Sequence, residues 1–338
     1  MLRDHQFEYH NISEMPVSLV GPGRRLQRLP ESVREFLNPT ARLLGLSPTQ
    51  AEIRFVCDGE VDLTFHSEIH HEYFRIYQGD FFQQEICIEP GQTRTISVRQ
   101  DARLVKNAAA LRPDSTRGFS PEMMRVRMSG TGRISFVHGE AHQRTIRPPT
   151  AEEKPTRTLL GYGSSITQGF NASRMGVTYL AQAAKQLGMD FLNLGSGGSC
   201  FCESEMGTYL AGRDDWDVAL LELGINLLGC EPAVSDEEFR ELAYGIIEPV
   251  SRDPKRQVAV VTLFPAGHDL PDSQRFAEPF REILRDHVKD LARSNVHLIE
   301  GSDVALWDDL SADLCHPSDV GQAAMGLRLA EIFTQRKI

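Results

Sequence analysis

The sequence predicts an α/β protein built in two parts: an antiparallel β-sandwich over residues 1–150, then a three-layer α/β/α arrangement around a parallel sheet over residues 151–338. Three observations predict this. Short runs with mostly period-two alternation of apolar residues fill the first part. The segment 147–155, RPPTAEEKP, packs three prolines and four charges into nine residues, a composition suited to a linker. Beyond it, continuous apolar runs alternate with stretches of helical period, the rhythm of strands buried on both faces by helices.

In the first part, PESVREFL (30–37) reads as a short helix ending near Asn38-Pro39. The strands follow as AEIRFVCD (51–58), EVDLTFHS (60–67), EYFRIYQ (72–78), TRTISVR (93–99), MRVRMS (124–129) and GRISFVHG (132–139). Turn pairs Asp58-Gly59, Gly79-Asp80 and Pro90-Gly91 punctuate them. Such short strands and turns indicate a sandwich or barrel, here expected to be a jelly-roll-like sandwich.

In the second part the strands are 158–163, 190–195, 217–224, 257–264 and 296–301. The helices between and after them are 176–187, 203–211, 235–250, 274–293 and 320–336. The third opens on Ser235 with Glu238 three residues later, the signature of a capping box. Five strands alternating with five helices make a doubly wound sheet.

Composition removes several function classes. The 338 residues carry 47 acidic against 36 basic side chains, a net charge of −11, which argues against nucleic acid or an anionic membrane as the main partner. Arg24, Arg25 and Arg28 make a local basic patch that reads as a solvated face. No run approaches the ~18–20 apolar residues of a membrane helix. The opening MLRDHQFEYHNISEM lacks the apolar stretch of a signal peptide, so a cytoplasmic location is expected for the chain as given. Six cysteines are too sparse for a disulfide scaffold, and Cys200-x-Cys202 is neither a zinc nor a redox spacing, so buried free thiols are expected. No metal is expected; the adjacent His70 and His71 would point to opposite faces of a strand.

Ligands of an open α/β sheet bind outside the carboxyl ends of its strands. Those ends read Gly161-Tyr162-Gly163-Ser164-Ser165-Ile166-Thr167-Gln168-Gly169, Asn193-Leu194-Gly195-Ser196-Gly197-Gly198-Ser199, Leu223-Gly224-Ile225-Asn226 and Asp313-Leu314-Cys315-His316-Pro317. They supply a serine, a glycine-rich backbone, an amide side chain and an Asp/His pair, the set that acyl transfer uses.

These four blocks, GSSITQG, NLGSGG, GIN and DLCHP, resemble in content and order those of the SGNH, or GDSL, hydrolase superfamily. The resemblance implies a flavodoxin-like parallel sheet and no cofactor. It also implies Ser165 as nucleophile, His316 as base, Asp313 as its partner, and an oxyanion hole from the Ser165 and Gly198 amides and the Asn226 side chain. Ser164 stands where the superfamily usually has Asp and is read as a loop-structuring hydroxyl. The phrases NASRMG and CESEMG resemble the branch with an N-terminal β-sandwich and activity on acylated carbohydrates. The expected activity is hydrolysis of small acyl esters, acetyl above all, on a small-molecule or oligosaccharide substrate, with homo-oligomerisation left open.

Other readings compete. A carboxylesterase or lipase-like enzyme on non-sugar esters would use the same residues. A nucleotide-binding protein would need G-x-G-x-x-G, whose third glycine is replaced here by Ile166, and an α/β-hydrolase lipase would need a G-x-S-x-G that the chain lacks. A carbohydrate-binding role without catalysis fits residues 1–150 better than the second part. Gly195 and Gly197 read as turn glycines, Asn226 competes with an Asx-turn role, and Asp313 with a backbone-bonded loop carboxylate. His268 is the rival histidine, without an Asp three residues before it. The loops 170–175, 200–206 and 265–273 are expected to shape the pocket.

Overall fold

The computed structural model describes residues 2–111, 118–128, 130–142, 144–173 and 177–338. Ser129, at the end of the 124–129 run, Gly176, the expected helix start, and 174–175 of the pocket loop lie outside the described residues.

The first part contains β1 (Leu2–Arg3), β2 (Glu8–His10), β3 (Arg24–Arg25), β4 (Glu52–Val56), β5 (Glu60–Ser67), β6 (Glu72–Gln78), β7 (Phe81–Ile88), β8 (Thr93–Arg99), β9 (Met123–Met128) and β10 (Ile134–Ala141). They form two antiparallel sheets ordered β1-β2-β4-β9-β6-β7 and β3-β10-β5-β8. Alternate residues of both sheets, among them Phe55, Phe74 and Val126 facing Leu63, Phe65 and Ile96, meet in one apolar core. The strand β7 was not expected: FFQQEICI has no clean alternation, because much of it is exposed. The helix expected over 30–37 is Glu31–Arg34, and a second helix, Pro39–Leu44, starts where a terminator was read. Pro39 occupies its first turn, and the Asn38 side chain accepts the Ala41 N–H.

The second part holds the parallel strands β11 (Thr158–Tyr162), β12 (Asp190–Asn193), β13 (Val218–Glu222), β14 (Gln257–Val261) and β15 (Val296–Ile299). Their spatial order, β12-β11-β13-β14-β15, is that of a doubly wound sheet. Successive residues point to opposite faces. Leu160, Leu221 and Val260 pack with Met206, Phe239 and Phe280 on one face. Leu159, Leu220 and Val261 pack with Leu180, Met325 and Phe333 on the other. The covering helices are Ser204–Gly212, Asp236–Val250 and Glu278–Leu291 on the first face, Tyr179–Leu187 and Asp319–Arg336 on the second. Ser235 and Glu238 make the expected capping box.

The two parts are closely joined. The first face also takes in Leu29, Leu37 and Ala41. β12 is an edge strand, and its outer carbonyls would be unpaired without cover. His10 Nε2 lies 2.7 Å from the Phe191 carbonyl, and Asn11 Nδ2 donates to Asn193 O at 2.9 Å. Arg54 forms a bidentate pair with Asp190 of β12 at 2.6 and 2.7 Å. Residues 147–155 are themselves packed: Arg147 pairs with Glu153, and Glu153 is buried.

Candidate active site

The strand ends bring the four blocks together. β11 ends at Tyr162, and a short helix, Ser165–Gln168, begins three residues later. Ser164 is its N-cap, its side-chain oxygen accepting the Ile166 N–H at 3.1 Å. The loop-structuring role read for Ser164 is therefore concrete. Ser165 is the first helical residue, so its N–H has no acceptor within the helix, and it finds none among the described residues.

The last loop faces this turn. His316 Nε2 lies 2.8 Å from Ser165 Oγ, and His316 Nδ1 lies 2.8 Å from Asp313 Oδ2. Asp313 Oδ1 also accepts the N–H groups of Cys315 and His316, each at 3.0 Å. Leu314, at φ 54°, bends the chain so that both amides reach one carboxylate oxygen. Burial works to raise the Asp313 pKa, but the bonds from His316 and Cys315 outweigh it and hold the carboxyl below its usual range.

The second block is wedged against the helix. Gly195 N–H donates to Asn193 Oδ1 at 2.8 Å, Gly197 N–H to Gln168 Oε1 at 2.7 Å, and Ser196 N–H to Gly163 O at 2.8 Å. A side chain at 195 would place its Cβ 2.3 Å from the Gln168 nitrogen, so this glycine is required by close approach, more than the turn role read for it. Gly198 has φ 65°, open space where a Cβ would stand, and an N–H with no acceptor among the described residues. The third block joins the second through Asn226 Oδ1, which accepts the Cys200 N–H at 3.1 Å. That bond fixes the amide plane and leaves Nδ2 without a partner among the described residues. Three donors, the Ser165 and Gly198 amides and the Asn226 side chain, thus remain unused.

Several side chains here were not anticipated. Asn171, at φ 60°, donates through Nδ2 to Asp313 Oδ2 at 2.7 Å. Phe170 sets its ring 5.6 Å from the His316 ring and is 43% exposed. Arg28 corrects the solvated-face reading. It is buried, donating to the carbonyls of Ser47, Leu44, Asn193 and Gly195, while Arg24 is exposed and Arg25 pairs with Glu68. Burial lowers the Arg28 pKa to about 10. Glu222, the last residue of β13, is buried behind Ser164 and Thr167. Its signal in the sequence was a carboxylate inside the otherwise apolar strand DVALLELG.

The rivals lie elsewhere or are inert. His268 Nδ1 lies 3.2 Å from Arg275 O, although the neighbouring Gly267 N–H reaches Leu314 O at 2.7 Å. All six cysteines are free, and Cys200 and Cys202 are buried. Burial, with the charges of Asp313 and Glu222, pushes the Cys315 thiol up to about 11, so it is no ready nucleophile. Among the described residues, His71, Cys87 and Glu89 form a group close enough to share a cation; it is in the sandwich part, and two of its members are exposed.

Residues 156–334 match the model of the GDSL-like lipase/acylhydrolase family. The chain belongs to that family. Solved structures resemble most or all of the chain. A salicylyl-acyltransferase from a tetracycline biosynthetic pathway superposes with a TM-score of 0.79 at 13% identity, covering 98% of this chain and 95% of that one. A family two carbohydrate esterase from Clostridium thermocellum gives 0.59 at 15% identity, covering 86% and 93%. An acetyl xylan esterase from the rumen bacterium Butyrivibrio proteoclasticus gives 0.58 at 11% identity, covering 99% and 96%. At these identities the likeness is one of fold, and it includes the antiparallel part. No curated protein matches the chain.

Proposed function

We propose that this GDSL-family hydrolase is a serine esterase that removes small acyl groups, acetyl first among them, from a carbohydrate. The observation that carries the reading is the unbroken line from Ser165 Oγ through His316 to Asp313, each step 2.8 Å long. Ser165 Oγ attacks the ester carbonyl while His316 Nε2 takes its proton. Asp313 holds the imidazole and stabilises its cation. The oxygen of the tetrahedral intermediate receives the unused donors of Ser165, Gly198 and Asn226. When the C–O bond breaks, the leaving alcohol takes the proton from His316. Water, deprotonated by the same histidine, then releases the acid and restores Ser165. No cofactor enters this scheme.

The carbohydrate substrate is supported by the folds of the carbohydrate esterase and the acetyl xylan esterase, which pair an antiparallel part with the hydrolase part. Residues 1–150 act in this reading as an accessory unit that buttresses the site through Arg28, His10 and Asn11. A second reading, esters of a larger or aromatic acyl group, is favoured by Phe170, whose exposed ring lies beside His316.

The test is hydrolysis of p-nitrophenyl acetate and acetylated xylan, with a serine-directed fluorophosphonate as a label. Ser165→Ala is expected to lower kcat by at least ~10⁴-fold and to lose the label. Retained turnover in that variant refutes the nucleophile. Preference for long or aromatic acyl chains favours the second reading over acetyl.

A further inference from the structure

Behind the Ser165 turn lies a carboxylate that the scheme above does not use. Glu222 Oε2 accepts three hydrogen bonds: the Ser164 N–H at 2.7 Å, the Ser164 O–H at 2.7 Å and the Thr167 O–H at 3.0 Å. Gly163 is what lets it come so close, because a Cβ there would stand 2.6 Å from Oε2. Among the groups that feel its charge are the Tyr179 phenol, which meets Thr167 Oγ1 at 2.8 Å, and the thiols of Cys200 and Cys315. None of these is a cation.

The direction of each bond matters. An ionised carboxylate only accepts, so the Ser164 hydroxyl must give its proton to Glu222 and keep its lone pairs for the Ile166 N–H. This fixes Ser164 as the cap, and with it the direction in which the free Ser165 N–H points. If Glu222 gains a proton or becomes an amide, a donor replaces an acceptor at the carboxyl. Oε2 can still accept, but its three bonds lose the charge that strengthens them, and the Ser164 hydroxyl is held less firmly in its capping role.

We propose that Glu222 is a positioning residue for acyl transfer: as a carboxylate it holds the turn that aims the Ser165 hydroxyl and directs the Ser165 N–H toward the oxyanion. This rests on Ser165 being the nucleophile. Burial also pushes the Glu222 carboxyl up to about 7, against the three donors that favour its charge, so the residue changes state in the range where esterases are assayed. Two groups must then be deprotonated for full activity, Glu222 and the His316 base.

The experiment compares wild type, Glu222→Gln and Glu222→Asp, measuring kcat and KM for p-nitrophenyl acetate and the rate of fluorophosphonate labelling, from about pH 5 to about pH 9. On the acid side, log(kcat/KM) of the wild type is expected to approach a slope of two, and that of Glu222→Gln a slope of one. Glu222→Gln should lose roughly 10–100-fold in kcat with KM little changed, as for a misaimed nucleophile. Glu222→Asp, which keeps the charge, should recover part of kcat and the steeper limb. Should the glutamine variant not fold, Ser164→Ala removes one donor of the same set and is expected to slow labelling. A wild type that labels at Ser165, with variants of unchanged kcat and acid slope, overturns the positioning role alone. A wild type without turnover or labelling overturns the nucleophile and the positioning role together.

Discussion

Glu52 and Glu222 are equally buried, each with 1% of its surface exposed, yet their carboxyls are driven in opposite directions. Glu52, in the sandwich part, would be raised by burial, but Arg125, Arg54 and Arg127 surround it and hold it well below the usual range. Arg54 and Arg125 each bond it, at 2.6 Å and 2.7 Å, and Arg127 joins at 2.7 Å. Glu222, in the hydrolase part, has hydroxyl and amide donors and no cation among those bonds, so burial prevails. The contrast separates two uses of buried charge. At the junction, charge is neutralised by charge, and the product is rigidity between two parts of the chain. At the site, charge is met only by dipoles, and the product is a turn whose geometry depends on a proton.

The largest effect is expected from removing the junction's hub. Arg54 is completely buried and pairs with Asp190, Glu52 and Glu8, so Arg54→Met leaves the buried Asp190 without its guanidinium, while Glu52 keeps Arg125 and Arg127 and Glu8 keeps Lys154. A loss of about 3–5 kcal/mol is expected from a buried pair broken on one side. Urea unfolding measures it, and a midpoint within error of wild type would show that the cluster contributes no net stability. Activity of the folded fraction should fall much less, because the side chain touches none of Ser165, His316 and Asp313.

Next in size is the oxyanion amide. Asn226→Ala removes a donor whose orientation is set by the Cys200 N–H, and kcat for p-nitrophenyl acetate should drop roughly 10²–10³-fold with KM little affected. An unchanged kcat would mean that the Nδ2 group does not meet the reacting oxygen. Unlike Arg54→Met, this substitution should leave the urea midpoint almost where it was, since Asn226 is only half-buried.

These two residues also show how far the sequence could be read. Asn226 was legible because it stands at a strand end, in a local block with a recognisable neighbour order. The parallel sheet was legible for the same reason: each strand announces itself through a run of adjacent apolar residues. Arg54 and Arg28 were not legible as buried. Their partners, Asp190, Asn193 and Gly195, lie more than a hundred residues along the chain, and an arginine on a strand or turn reads locally as exposed. Glu222 sat in plain view within DVALLELG, but nothing local tells whether such a carboxylate meets a cation or a hydroxyl. Strand β7 escaped because exposed strands carry no period, and the Pro39–Leu44 helix because proline ends a helix as readily as it begins one.

The smallest effect is expected in the pH dependence of stability. The Glu222 carboxyl is raised from an ordinary 4.5 to about 7 in the folded chain, so folding favours its protonated form. Its contribution to stability is therefore greatest below about pH 4.5 and declines as pH rises toward about 7, the reverse of the usual carboxylate case. Glu222→Gln has no proton to lose. Its stability relative to wild type should improve across that interval and level off above it, by roughly 1–3 kcal/mol in urea unfolding. Substitution at Glu52, whose carboxyl is depressed, should give the opposite trend, with the variant losing most above the ordinary pKa. If Glu222→Gln gains stability toward neutral pH while losing kcat, the site carries an ionised group that the fold alone would not keep. If it gains nothing, the three donors already compensate the charge in full, and Glu222 belongs with Glu52.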